Sequence, residues 1–268
     1  MFKGFGVIKK FVRAVARRSR PGIAPWCREY PRNRVAVVVL LAVTAVAAAG
    51  CISTARMAVP PALASAPAWP VSGRQGWKLN EKVSFGPFRV ETVRRSWTRG
   101  SDWKVAPYEQ SQRRQTFGFT LVGEGRELLG GEFQTTLQRR GFDVGFDVDL
   151  QNRSALEGQL RAVAGGTSAG WTLQLREEGQ TPWVGTVTAG SVVLRVTGTA
   201  RLQGSPLPLD QPSGYLISLG DRDLAAVEVI GDGRVRFADG IDPALQPVVA
   251  GTAAALLLVE ELRATLPE

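Results

Sequence analysis

Histidine is absent from the 268 residues, which removes imidazole as general base, metal ligand or pH switch. Cysteine is nearly absent too: Cys27 and Cys51 are the only two. Behind Cys51 lysine is reduced to Lys78, Lys82 and Lys104. No Gly-x-x-x-x-Gly-Lys phosphate loop appears, a pattern whose backbone N–H groups would cradle phosphates. Nucleophilic catalysis is left with few partners, so no enzyme activity, cofactor or metal is expected.

Acidic charge is missing from one place only. Residues 1–50 hold ten of the 33 Lys and Arg but a single acid, Glu29, whereas residues 51–268 carry 23 bases and 23 acids. The formal charge of +9 therefore lies entirely ahead of Cys51. A nucleic-acid-binding face needs surplus positive charge in the folded domain, so no nucleic-acid partner is expected.

Lys9, Lys10, Arg13, Arg17, Arg18, Arg20, Arg28, Arg32 and Arg34 form a basic stretch, followed by an uncharged apolar run over 35–49 and then Gly50 and Cys51. A basic region, an apolar region and small residues before a cut are the parts of a secretory signal. The run is shorter than the roughly 20 residues of a spanning helix. Ala48, Ala49, Gly50 and Cys51 resemble the lipobox of bacterial lipoproteins, although Ala48 stands where that family usually carries a bulky aliphatic residue. The resemblance implies cleavage between Gly50 and Cys51, lipidation of the Cys51 thiol and a membrane partner held through that lipid. Ile52 follows the cysteine where Asp would signal inner-membrane retention, so the resemblance implies the outer membrane. The basic region is long and contains Pro21, Pro25 and Pro31, which fits an unusual leader or a start downstream of Met1.

Behind the signal, residues 51–76 are rich in Ala, Pro and Ser, a composition expected to form a disordered tether. The folded domain is expected over 77–268. There, period-two alternation predominates. It runs through Phe117, Phe119 and Leu121, through Trp171, Leu173 and Leu175, and through Val192, Leu194 and Val196. Its longest run is Phe142, Val144, Phe146, Val148 and Leu150, with Asp143, Asp147 and Asp149 on the other side. Further strands are expected around 85–96, 131–139, 156–163, 182–189, 214–219 and 224–230, with a hairpin turn at Asp232-Gly233. Regular short strands with Gly-rich joints predict a mainly β fold, a single antiparallel barrel, roll or sandwich. The pattern then breaks. Asp242 and Pro243 suit an N-cap and first helical position, and Ala244 to Val259 carries no charge. A helix over about 243–264, apolar all round, must be buried in protein or lipid.

A β-barrel followed by an apolar helix through its middle resembles the tubby C-terminal and LURP-one-like fold. The residues that carry this layout are Leu224–Ile230, the Asp232-Gly233 turn, Val235–Phe237, Asp242 and the helix Ala244–Leu262. Members of that fold include phosphoinositide-binding and scramblase-like proteins, and none of their binding residues can be placed here.

Three clusters merit weighing. The three aspartates Asp143, Asp147 and Asp149 diverge along a strand face rather than wrapping a cation, so a solvated face is the reading. Neighbouring pairs such as Glu177 and Glu178 do not converge on a strand as acid–base partners must. Arg94, Arg95 and Arg99 lie near Trp97 and Trp103. That set suits strand-edge residues whose stems cover apolar surface, yet it is also the best candidate for a ligand or partner patch, through anion binding or cation–π stacking. Two functions fit: an anchored envelope lipoprotein with a structural or interaction domain, contacting a protein or lipid of the envelope, and a carrier of a lipid or other small hydrophobe.

Overall fold

A computed structural model describes residues 55–74, 82–105, 107–143, 147–163, 170–178 and 182–259, with the side chains of 143–151 and 178 excepted. Residues 1–50, including the basic stretch, the apolar run and Gly50, lie outside the described residues, as does Cys51. The described residues belong to one compact unit, Thr54–Glu268, and are mainly β.

The strands follow one another as a meander. They are β1 (Ala68–Pro70), β2 (Ser84–Phe85), β3 (Phe88–Arg95), β4 (Arg99–Val105), β5 (Tyr108–Gly123), β6 (Arg126–Asp143), β7 (Asp147–Ala162), β8 (Trp171–Glu178), β9 (Val184–Ala189), β10 (Val192–Thr199), β11 (Gly214–Leu219), β12 (Arg222–Glu228) and β13 (Arg234–Phe237). A short helix α1 (Pro61–Ala64) precedes them and a longer one, α2 (Gln246–Leu258), follows. The pairing order is β1-β13-β12-β11-β10-β9-β8-β7-β6-β5-β3-β2, with β4 laid against the first half of β5. Tight turns make this possible. Glu124 and Gly125 both adopt positive φ, 51° and 76°, the combination a two-residue hairpin needs to follow strand twist.

Period-two alternation sends Phe117, Phe119, Leu121, Leu156, Leu160, Leu173 and Leu175 inward, and all are buried. The inner faces enclose α2. Every residue from Val248 to Leu258 is buried, whichever way it points from the helix axis. A helix lying on an open sheet would keep one flank wet, so the sheet must surround it. The result is a nearly closed antiparallel barrel of 12 strands with its helix inside, the barrel alternative of the predicted fold. The one hydroxyl in this stretch is satisfied locally, with Thr252 Oγ1 donating to the Val248 carbonyl at 2.8 Å. Gly251 packs closely: a Cβ there would approach Leu129 Cδ1 to 2.9 Å, so that side chain would have to shift.

The tether expectation is corrected. Residues 55–74 form part of the barrel. Met57 and Leu63 are buried at 1% and 0% exposure and pack with Ala226, covering the outer face of β11 and β12. Pro61 occupies the first turn of α1, where its missing N–H costs nothing. β1 pairs with β13, and Ser72 then exchanges two hydrogen bonds with Ser84, both 2.9 Å, so this strap joins the two ends of the sheet. The prolines that read as a linker are compatible with an edge strand and a helix start. The domain consequently begins well before Trp77, which itself lies outside the described residues.

Two further boundaries move. The long alternation from Phe142 to Leu150 is a hairpin, not one strand: β6 ends at Asp143, β7 begins at Asp147, and Asp143 pairs with Asp147. Period two in the sequence continues through the connection, so alternation alone hides the break. The helix starts at Gln246, with Leu245 at the N-cap and Pro247 in its first turn. Asp242 instead closes the turn before it, its Oδ1 accepting from the Ala244 N–H at 2.8 Å. The helix ends at Leu258, and Val259 turns extended with ψ 129°. Residues 260–264 of the expected helix lie outside the described residues.

The helix end is held by the strap. Arg74 Nε donates to the Leu257 carbonyl at 3.0 Å and its Nη1 to the Val229 carbonyl, placing a cation on a carbonyl that the last helical turn leaves without a partner. Leu257→Asp puts an unpaired charge into the enclosed helix and should cost several kcal/mol; a thermal melt matching the parent would contradict enclosure. Deleting residues 55–72 should lower the melting temperature by roughly 10 °C or more, since buried Met57 and Leu63 and the closing strand go together. An unchanged melt would restore the tether.

Candidate functional site

Space for a ligand lies outside the barrel. Alternation carries Thr116 and Gly118 of β5, Glu132 and Gln134 of β6, and Glu157 and Gln159 of β7 to the outer face, where with Arg94 and Arg161 they line an open groove of about 910 Å³. A smaller recess of about 300 Å³ continues it through the shared Glu157 to Thr136, Arg153 and Arg176. Arginines and glutamates alternate over this surface, and Arg161 Nη2 donates to Gln159 Oε1 at 2.7 Å.

The five residues of the expected patch are not gathered in one place. Arg94 borders the groove and is exposed. Its neighbour Arg95 also lines the groove, but follows the alternation to the other face, with its guanidinium carbon 5.7 Å from the centre of the Phe117 ring. Trp97, in the connection from β3 to β4, is 88% exposed, and Trp103 on β4 is 59% exposed. Arg99 pairs in register with Arg114 of β5, both exposed, a like-charge juxtaposition that disfavours the pair unless water or an anion intervenes. Trp97, Arg99 and Trp103 thus run along the outer edge of the sheet beside the groove, with β4 exposed along all seven residues.

A second group was not anticipated. Where β5–β8 continue beyond the helix, most of their buried inward positions turn polar, Leu137 opposite Arg113 excepted: Arg113 and Gln115 in line with Phe117, Thr135 in line with Phe133, Ser154 in line with Leu156, Glu177 in line with Leu175. All five are buried. Arg113 reaches across Gly100 to Asp102 of β4 with two hydrogen bonds, 2.7 and 3.0 Å. Glu177 accepts from the Trp183 indole at 3.0 Å. The signal was present in the sequence as polar residues occupying the apolar phase of an alternating strand. The hydrogen bond from Arg113 is the main reason that the Asp102 carboxyl is held below its ordinary pKa of 3.8, with the guanidinium charge adding to it.

One spacing in the sequence resembles a hydrolase nucleophile: Gly166-Thr167-Ser168-Ala169-Gly170. That motif works on a strand-to-helix turn with a histidine partner. Here it joins β7 to β8, two antiparallel strands, and the chain has no histidine. Residues 164–169 lie outside the described residues. Among the described residues no three or more Cys, Asp or Glu converge as metal ligands would.

No protein-family model, curated protein or solved structure matches this chain.

The Asp102–Arg113 pair supplies a test of the polar end. A carboxyl with a depressed pKa contributes stability above its unfolded value and loses that contribution as pH falls through the folded value. Melting temperature should therefore drop below about pH 4 in the parent and less steeply in Asp102→Asn; parallel pH profiles would show that the pair does not contribute.

Proposed function

We propose that the chain is a lipid-anchored envelope protein of the outer membrane, whose β-domain is a non-catalytic structural or interaction module. The anchor rests on the basic and apolar segments that end in Gly50 and Cys51, with Ile52 behind them. The observation that carries the domain's role is the filled interior: α2 occupies the barrel and is buried over its whole circumference. A carrier of a lipid or small hydrophobe needs an apolar hollow, whereas the groove that is open to a partner is mixed polar and apolar and lies on the outside. Recognition through that face, by a protein or lipid of the envelope, fits this geometry better than carriage, and it requires no cofactor. The helix within a 12-stranded barrel also supports a relation to the tubby C-terminal and LURP-one-like fold at the level of layout.

The test is the mass of the membrane-extracted protein from a bacterial host. A chain that starts at Cys51 and carries lipid is expected, and Cys51→Ala should leave the membrane on alkaline washing. A mass that retains residues ahead of Cys51, or a variant that stays bound after the wash, would overturn the anchor.

A further inference from the structure

An anchor on Cys51 leaves very little slack. Met57 lies six residues beyond Cys51, a reach of at most about 22 Å at 3.3–3.6 Å per residue. Met57 is buried and cannot follow the lipid outward. Its neighbours are stitched to the start of the β10–β11 connection: the Ala58 N–H donates to the Arg201 carbonyl at 3.0 Å, the Gln203 N–H to the Arg56 carbonyl at 2.8 Å, and Met57 bridges Leu202.

The same connection carries the most exposed large aliphatic side chain among the described residues. Leu207 is 73% exposed, between exposed Pro206 and Pro208. An exposed leucine by itself is ordinary. This one is presented by a fixed loop. The Leu209 N–H donates to the Ala200 carbonyl at 2.8 Å and the Ser213 N–H to the Thr199 carbonyl at 2.7 Å. The Ser205 hydroxyl accepts from the Leu207 N–H at 3.2 Å and donates to its carbonyl at 3.1 Å. Arg201, at the base of the loop, is exposed.

Strand polarity adds a second contact. In an antiparallel meander alternate connections share an end, so the β4–β5 turn lies at the same end of the barrel as the β10–β11 connection. That turn exposes Val105 and Tyr108, each 53%, with Trp103 beside them. Aromatic and aliphatic residues with nearby arginines suit the boundary between lipid headgroups and acyl chains.

We propose that this end of the barrel rests on the bilayer, with the Pro206-Leu207-Pro208 loop as its lipid contact beside the anchor. The proposal rests on lipidation of Cys51, and the experiment separates the two. Mature lipidated protein carrying Leu207→Cys is labelled with an environment-sensitive fluorophore and placed in vesicles of phosphatidylethanolamine and phosphatidylglycerol. The label site is unique, because Cys27 is lost with the signal and the Cys51 thiol is taken up by the lipid. A second protein carries the label at Val193→Cys, at the start of β10 and so at the opposite end. Blue-shifted emission at 207, quenched by lipids bearing a headgroup nitroxide, with water-like emission at 193, is the expected result. Protein that floats with the vesicles but emits as in water at 207 would overturn the docking and leave the anchor standing. Equal shifts at 207 and 193 would also overturn it, since the contact would not select an end. Protein that fails to float would overturn both.

Discussion

Everything in this fold follows from one requirement: a helix with apolar residues on all sides must be kept from water. Thirteen residues of α2 have no polar face to present, so no packing against a single layer would suffice, and the sheet has to curl until its edges nearly meet. Inward leucines, valines and phenylalanines then contact helix and neighbouring strands at once. At about 25 cal/mol per Å² of apolar surface, this shared burial is the largest favourable contribution the chain possesses.

Closure depends on the strap. Residues 55–74 work on both sides of the barrel wall, with Met57 and Leu63 against the outer face of β12 and Arg74 on the carbonyl of Leu257 inside. β12 reads Leu224-Ala225-Ala226-Val227, all buried, whereas most other strands alternate. An unbroken apolar run is what a strand covered on both faces looks like. That run is visible in the sequence, but its need for an outer cover emerges only with the fold. The cover came from a stretch whose prolines and alanines suggested a linker.

This contrast defines how far the sequence could be read. Periodicity identified the β class, most strands and the enclosed helix, because burial on one face or on all faces leaves a regular mark. Boundaries shifted where two marks coincide. Alternation passes unchanged through the β6–β7 connection, and Asp242-Pro243 has the chemistry of a helix start but closes a turn three residues earlier. The groove and the polar inner end depend on strands brought side by side, Arg113 beside Asp102 and Glu177 beside Trp183. Spacing along the chain contains no record of that register. Arg94 and Arg95 make the point in miniature. Adjacent in sequence, they belong to opposite faces once they lie in a strand.

The strap and the helix also set the order in which the molecule is completed. The strand that joins the two sheet ends comes near the start of the chain, and the helix it must shut in is made last. Until residue 258 has been produced, the cylinder has nothing to close around, and its two margins remain open. Contacts between such distant parts of a chain form slowly, and open strand margins attract other chains in the meantime. A protein built this way has its greatest exposure to aggregation before the thirteen residues of α2 arrive, which makes holding factors during synthesis as consequential for it as the stability of the finished barrel.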